Sequence, residues 1–302
     1  MNMASKKERL ENAEEQLYIF SGILFHNQEF AEGNDASIRY DFSCPEYKEL
    51  KEKYALEEIA GKGSDFVRAK RLLHYLAPRL THSSWYDNHV PCNALALLEY
   101  SLNNPEQGIN CLNKSKILEE CCLALGIYAR RVSIMPFSPY DFDNHVVTEI
   151  YDRRMKKWIM MDPTMDSYFV DEEKRPLSLL EMRKKFANDE FVTIVRTRDS
   201  LKDLKKLRAK YMEENSYICK NLFYFVIDQQ CRFGQPETRL SFCPANFSVK
   251  NTNIANVRYR INHLPEEQVS WKEEFEKRLA DLEESKEPAK TGIERMICAP
   301  TL

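Results

Sequence analysis

Glycine is scarce in this sequence, and long apolar runs are missing. Only eight glycines occur among 302 residues, so the few positions they occupy are informative. The sequence contains no stretch of 18 apolar residues, which is about the length needed to span a bilayer. The charged segment from Met1 to Glu15 lacks the apolar core of a signal peptide. We therefore expect no membrane segment and a cytoplasmic protein.

An excess of charge of either sign and a regular cysteine spacing are also absent. The net charge of −3 gives no general attraction to nucleic acid or to an anionic membrane, and we predict neither as a partner. The nine cysteines are an odd set without the spacing of a disulfide framework. Free thiols in a reducing cytoplasm fit this pattern best. A hydrophobic content of 43% is sufficient for a real core.

Signatures of phosphate and metal sites are missing as well. The segment Gly61-Lys62-Gly63 lacks the hydroxyl residue and the preceding strand of a phosphate loop. The spacing of His82, His89 and Cys92 matches no common zinc pattern, and no fourth partner is nearby. We predict no cofactor and no metal ion, and interpret these three as loop residues.

The segment from Gly108 to Gly126 predicts a helix that begins at a cysteine. Gly108 and Asn110 are poor residues for a helix interior, so the helix should begin at Cys111 or just after it. Gly126 should end it, where a positive φ is needed. The apolar face recurs at helical spacing and consists of Leu118, Cys121, Cys122 and Leu125. Cys111 lies on this face, and the positive end of the helix dipole favours its thiolate.

Two predicted strands after this helix supply a histidine and an aspartate. The segment from His145 to Tyr151 is rich in β-branched residues, and the looser strand 158–161 follows a polar turn. If the turn is centred between Arg153 and Arg154, His145 lies directly opposite Asp162. Directly opposed side chains point to one face with Cβ atoms roughly 4.5–5.5 Å apart. Asp162 would then accept the imidazole N–H and orient the ring.

These segments resemble the transglutaminase-like superfamily. The family's Gly-Ile-Pro-Ala-Arg-x-Val segment is similar to Gly126-Ile127-Tyr128-Ala129-Arg130-Arg131-Val132. Its His-x-Trp-x-Glu-x-Tyr strand is similar to His145-Val146-Val147-Thr148-Glu149-Ile150-Tyr151, and its Trp-x-x-x-Asp-Pro-Thr strand matches residues 158–164. The resemblance covers roughly residues 105 to 170, about a fifth of the chain. Tyr128 replaces the usual proline, and Val147 replaces a common tryptophan near the histidine, which changes the expected substrate shape.

The resemblance implies an α+β fold with a transglutaminase-like, papain-like core. In that core a nucleophile helix packs on an antiparallel sheet, with N-terminal helices and C-terminal additions. It also implies a catalytic triad of Cys111, His145 and Asp162, which would attack an amide carbonyl of a peptide or protein and form a thioester.

The fate of the thioester is open. We favour hydrolysis by a protease or amidase, because amine transfer needs a site that excludes water. A protein-glutamine transglutaminase, a non-catalytic peptide-binding scaffold and, less strongly, removal of glycans from proteins are the alternatives.

The remaining site residues are candidates of lower specificity. The backbone N–H of Cys111 is the natural first oxyanion donor, and Gln107 is the best side-chain candidate for the second, with Asn110 behind it. Trp85 and Tyr86 are candidates for lining a substrate groove. Arg130 and Glu149 match family positions, and we interpret them as an ion pair that supports the sheet.

The chain divides into three predicted regions: a helical N-terminal region (1–92), the catalytic core (93–200) and a C-terminal extension (201–302). Helices are predicted over 4–31, 43–59, from Ser64, 93–102, 177–186, 201–212 and from Pro265. Strands are predicted over 191–195, 221–228, 239–243, 247–249 and 257–262. The tail from Lys286 is predicted to be frayed.

Overall fold

A seven-stranded antiparallel sheet organises the fold. The computed structural model describes residues 6–196, 208, 211–234, 238–265 and 269–300. Within these residues the strands are β1 (Arg39–Tyr40), β2 (Ala129–Met135), β3 (His145–Asp152), β4 (Lys157–Asp162), β5 (Ser167–Val170), β6 (Thr193–Arg196), β7 (Tyr224–Asp228), β8 (Gln230–Cys231) and β9 (Arg239–Phe242). The large sheet has the order β6-β5-β4-β3-β2-β7-β9, and β1 pairs with β8 in parallel. The sheet thus takes strands from both the predicted core and the predicted C-terminal extension.

Helices pack against this sheet, which makes the architecture α+β. They are α1 (Lys6–Phe25), α2 (Glu46–Lys53), α3 (Leu56–Ala60), α4 (Asp65–Leu76), α5 (Ala94–Asn103), α6 (Cys111–Ala124), α7 (Leu179–Ala187), α8 (Met212–Asn221), α9 (Val249–His263), α10 (Val269–Glu284) and α11 (Glu294–Ile297). Side-chain caps fix several of their starts: Ser64, Asn93, Asn110 and Ser178 each accept a backbone N–H of the first turn. None of the described helices is both long and apolar enough to cross a membrane.

The central helix α6 begins and ends where the sequence predicts. After Leu125, Gly126 adopts a φ of 71°. Its N–H donates to the Leu123 carbonyl at 2.9 Å, and the Ile127 N–H donates to the Cys122 carbonyl at 3.0 Å. This pair of bonds is the Schellman arrangement, which needs a left-handed residue at the position of Gly126.

Helix α6 is buried on all sides, whereas the sequence predicted a single packed face. Residues 113–124 are all buried. The Lys116 ammonium lies 2.9 Å from Glu119 and 3.2 Å from Glu120, and donates to the Arg232 carbonyl at 2.8 Å. Glu120 also accepts the Ala94 N–H at the start of α5, at 2.6 Å. Lys116 and the two glutamates are therefore buried as an ion-paired group, which a hydrophobic pattern cannot reveal.

Two N-terminal predictions are wrong in their extent. Helix α1 ends at Phe25 and not at residue 31, because Phe30 and Ala31 pair with the chain around Pro244. The helix predicted over 43–59 is two helices, because Ala55 adopts a left-handed φ of 50° between them.

The C-terminal predictions contain two further errors. The segments 247–249 and 257–262 are not strands, because Val249–His263 is the helix α9. Ser248 caps it, and Glu287 accepts the Val249 N–H at 2.7 Å, so tertiary capping outweighs the β propensity of its residues.

The predicted fraying of the tail is wrong for residues 286–300. Lys290 and Thr291 form bridges to Ser241 and Asn34, and Met296 is buried. Strand β7 covers the second half of the predicted strand 221–228. The helix predicted over 201–212 lies almost entirely outside the described residues.

The hairpin register is shifted from the predicted one. Strands β3 and β4 pair Thr148 with Met161 and Asp152 with Lys157. The turn is therefore centred between Arg154 and Met155, one residue later than predicted. Continued towards the site, this register sets Asp162 opposite Val147, so His145 and Asp162 are diagonal neighbours. A one-residue shift of the turn centre moves the register by two residues, which leaves both side chains on the same face.

Candidate active site

Cys111 occupies the first position of α6, where a network of amides anchors the helix start. The Asn110 side chain accepts the Asn113 N–H at 3.2 Å. Asn88, in the loop before α5, accepts from the side-chain amides of Asn110 at 3.1 Å and Asn113 at 2.8 Å. The loop is thereby fixed to the end of α6 that carries the cysteine.

Gly108 brings a second loop into contact with this helix start. The Ile109 N–H donates to the Thr81 carbonyl and the Ser83 N–H donates to the Ile109 carbonyl, both at 3.1 Å. A Cβ atom at Gly108 would lie 2.5 Å from the carbonyl carbon of His82. The absence of a side chain therefore permits the close backbone approach that places His82 beside the cavity.

His145, the first residue of β3, connects the other two triad candidates. Its Nε2 lies 2.7 Å from Oδ2 of Asp162, and the imidazole lines the same cavity as Cys111. Because Nε2 faces Asp162, Nδ1 is the nitrogen left for Cys111. The other carboxylate oxygen, Oδ1, accepts the N–H groups of Thr164 at 2.8 Å and Met165 at 3.1 Å. The Asp-Pro-Thr turn thus fixes the carboxylate orientation.

The imidazolium form of His145 and the carboxylate form of Asp162 stabilise each other. Burial lowers the pKa of His145, but the Asp162 carboxylate, its hydrogen bond to the ring and the nearby Cys111 side chain outweigh burial and raise it to about 10. Burial raises the pKa of Asp162, yet the facing imidazolium and the two backbone N–H groups bring it below its ordinary value. The imidazole is thus held protonated and the carboxylate ionised.

A cavity of about 730 Å³ lies at these residues. Its lining includes Cys111, His145, His82, Ser84, Asn144, Thr164, Tyr217 and Arg239. The Tyr217 ring packs edge-on against the His145 ring at 5.5 Å, and its hydroxyl lies 3.2 Å from Oδ1 of Asp143. Sequence reasoning missed Tyr217, because it comes from α8, more than a hundred residues after Cys111, and no local pattern connects the two.

His82 is one of the two histidines that the sequence analysis interpreted as loop residues without a role in the site. Its Nε2 lies 3.1 Å from the Ser84 hydroxyl. Burial lowers its pKa, and the positive charges of Lys114 and His145 lower it further. His82 therefore presents a neutral imidazole to the cavity at neutral pH. The backbone of His82 pairs with Ile109, just before Cys111. The only sign of this pairing in the sequence is Gly108, because a glycine permits a close backbone approach.

Of the lower-specificity candidates, Asn110 lines this cavity and the other three do not. Gln107 is exposed and its Oε1 accepts the Tyr100 hydroxyl at 2.7 Å. Trp85 is 95% exposed, and Tyr86 is buried with its hydroxyl accepting the Val90 N–H at 3.2 Å. Their proximity in sequence to Cys111 or to the loop suggested the site, but Gln107 and Tyr86 bond to other groups and Trp85 faces solvent.

Arg130 and Glu149 form the structural ion pair that the sequence predicted. The Arg130 Nη2 lies 2.6 Å from Glu149, both side chains are buried, and the guanidinium stacks on the Trp158 ring. A second cross-strand row runs from Arg131 through Asp228 to Arg239, with Asp228 2.7 Å from Arg131 and 3.4 Å from Arg239. The last residue of this row reaches the cavity wall.

Comparison with solved structures finds a distant match. A candidate cysteine protease from Cytophaga hutchinsonii matches with 17% sequence identity and a TM-score of 0.31. The match covers 49% of this chain and 46% of that protein, so the chain spans less than half of its length. No protein-family profile and no curated protein matches. The α+β architecture is compatible with a papain-like fold, but a likeness this weak carries no argument about activity.

Proposed function

We propose that this protein is a cysteine-dependent hydrolase of amide or peptide bonds with a transglutaminase-like core. Cys111 is its nucleophile, His145 its acid and base, and Asp162 the group that orients the imidazole. The observation that carries the proposal is the hydrogen bond between His145 and Asp162, in the wall of the cavity that Cys111 also lines at the start of a buried helix.

The first half of the reaction breaks the amide bond. The Cys111 sulfur attacks the carbonyl carbon, and negative charge develops on the carbonyl oxygen. The backbone N–H of Cys111 stands at the first helical position, where no intrahelical acceptor exists, and can donate to that oxygen. As the C–N bond breaks, the His145 imidazolium gives its proton to the leaving amine, and a thioester on Cys111 remains.

The second half releases the acid. Neutral His145 takes a proton from water, whose oxygen adds to the thioester carbonyl. The C–S bond then breaks, the carboxylic acid leaves, and Cys111 and His145 recover their starting state. Asp162 holds Nε2 throughout, so Nδ1 stays aimed at the sulfur and the reacting groups.

Turnover of a defined peptide pool tests the proposal. Purified protein is incubated with the pool, and mass spectrometry follows both the cleaved products and an acyl adduct on Cys111. The Cys111→Ala variant should lose turnover and adduct together. The matched control is Cys298→Ala, which removes another accessible thiol and should keep both.

The same experiment distinguishes the acceptor. With a primary amine added, a hydrolase still forms mainly the acid, whereas a transglutaminase forms the amine conjugate. Absence of any acyl adduct in the wild-type protein, with substrate peptides still bound, would favour a binding scaffold and overturn the proposal.

A further inference from the structure

Lys114 is a buried lysine without a partner, one helical turn after the candidate nucleophile. Its residue is 2% exposed. Among the described residues, no hydrogen-bond acceptor and no carboxylate within ion-pair distance is found for its ammonium. Lys116, two positions later, is equally buried but satisfied by Glu119, Glu120 and a carbonyl. The Lys114 ammonium, by contrast, keeps a small contact with solvent while the alkyl chain is buried. A partly buried charge is screened much less by solvent than an exposed one, so this ammonium can act on its neighbours.

Helix geometry directs this side chain towards Cys111. Residues three apart on a helix are neighbours on its surface, and Cα–Cβ bonds tilt towards the helix N-terminus. The Lys114 side chain therefore extends back along α6 to the end where Cys111 lies.

Four titratable groups from four elements act on this lysine or share its surroundings. The charges of Asp162 on β4 and Cys111 on α6 act on the Lys114 ammonium from beyond hydrogen-bond distance. His82, in the loop before α5, feels the charges of both Lys114 and His145 on β3.

The charges of the proposed site do not balance without Lys114. A Cys111 thiolate, a His145 imidazolium and an Asp162 carboxylate carry two negative charges and one positive charge. This leaves one net negative charge in a region where His145 and Asp162 are buried, and an uncompensated buried charge favours protonation.

We propose that Lys114 is a positioning residue whose ammonium balances this charge when Cys111 reacts as a thiolate, and so increases the reactivity of Cys111. The titration of the lysine agrees with this role. Burial lowers the pKa of Lys114 to about 8, and the opposing charges of Asp162 and Cys111 keep it from falling further. The ammonium is therefore present at neutral pH and is lost in mildly alkaline solution. The inference rests on the proposed function, because it concerns the ionisation of the same cysteine.

The pH profile of Cys111 alkylation tests the inference. Second-order rate constants with iodoacetamide are measured from pH 5 to 9 by peptide mass spectrometry. In Lys114→Met the midpoint of the profile should rise by about one pH unit, since a single nearby charge at a buried site has an effect of this order. At pH values below the midpoint, the rate should fall about tenfold. Lys114→Arg keeps the charge and should restore the wild-type midpoint.

A surface lysine provides the control for net charge. Lys53 is exposed and pairs with Glu99 at 3.0 Å, so Lys53→Met changes the net charge equally and should leave the profile unchanged. An unchanged midpoint in Lys114→Met, or an arginine variant that behaves like the methionine variant, would overturn the role of Lys114 alone. If wild-type Cys111 itself reacts no faster than the other accessible cysteines, the proposed function fails instead.

A measurement on the wild-type protein remains decisive if the methionine variant does not fold. Iodoacetate is the anionic counterpart of neutral iodoacetamide, so the ratio of their rates at Cys111 reports the local charge. The ratio should decrease as pH rises through about 8, where Lys114 loses its proton. A ratio that stays flat between pH 7 and 9 would contradict the inference.

Discussion

Asp162 belongs to a sequence motif, and its side chain both stabilises a turn and takes part in the proposed chemistry. Its Oδ1 satisfies two backbone N–H groups of the Asp-Pro-Thr turn, and its Oδ2 faces His145. The identity of both residues could be predicted from the sequence, because the motif carries them. Their diagonal arrangement could not, because it depends on a hairpin turn centred one residue later than the polar pattern suggests.

Asp162→Asn separates these two roles. The asparagine Oδ1 can still accept from Thr164 and Met165, so we expect the fold and the melting temperature to be nearly retained. Its amide can donate to Nε2, however, and then holds the wrong imidazole tautomer. Turnover should fall steeply, by up to about 10⁴-fold as in a serine protease, and less if the thiolate–imidazolium pair persists. Turnover close to wild type in a correctly folded variant would refute the orienting role.

The raised pKa of His145 predicts how the stability of the protein changes with pH. Its pKa is raised from 6.5 in the unfolded chain to about 10 in the folded protein. The imidazolium therefore contributes stability that is complete below about pH 6.5 and is lost as pH rises towards 10. The free energies of unfolding of wild type and His145→Gln, measured in urea, should differ most near pH 6 and converge towards pH 10. A difference that grows with pH would mean that the imidazole is not held protonated.

At the scale of elements, helix ends were more predictable than their surroundings. Asn110 and Gly126 mark the two ends of α6 because capping is a local interaction. Lys116, Glu119 and Glu120 lie outside the apolar face that the sequence predicts, yet they are buried against each other. Only the neighbouring helices and the sheet decide which side of a helix meets solvent, and the local sequence does not contain that information.

Gly108 and Gly22 form a contrasting pair for substitution. A Cβ at Gly108 would collide with the His82 backbone, whereas nothing lies within 4 Å of a Cβ at Gly22 in α1. We expect Gly108→Ala to cost roughly 1–3 kcal/mol of stability and to lower Cys111 reactivity, because the loop carrying His82 must move. Gly22→Ala should stabilise the protein by up to about 1 kcal/mol. Chemical denaturation and alkylation rates measure both effects, and equal behaviour of the two variants would contradict the close approach.

At the scale of the whole molecule, the features that the sequence did not predict depend on contacts between residues far apart in the chain. Tyr217 reaches the cavity from α8, and the segment around Met296 covers the sheet near Arg130 and Trp158. The Arg130 Nη2 donates to the Met296 carbonyl at 2.7 Å, and the Trp158 Nε1 donates to the Cys298 carbonyl at 3.0 Å. The tail has few residues with a strong helix or strand propensity. The sequence therefore does not show that two of its carbonyl groups accept hydrogen bonds from Arg130 and Trp158.

Truncation tests the structural role of this tail. Removing residues 290–302 exposes the site of Met296 and takes acceptors from Arg130 and Trp158. We expect a loss of roughly 3–5 kcal/mol in the free energy of unfolding. Removal of residues 299–302 alone keeps both acceptors and is the control. Equal free energies of unfolding of the two truncated proteins, measured by urea denaturation, would contradict the structural role and support the frayed tail that the sequence predicted.

The most direct test of the central claim compares two cysteines of one molecule. Among the nine cysteines, Cys298 is exposed, Cys92 and Cys111 are half-buried, and the remaining six are buried. Exposure alone predicts that a limiting amount of iodoacetamide at pH 6 labels Cys298 first. Pairing with His145 predicts that Cys111 is labelled first, and that this preference disappears in His145→Gln. Peptide mass spectrometry measures the order directly, and preferential labelling of Cys298 in the folded wild-type protein would contradict the account of Cys111 as an activated nucleophile.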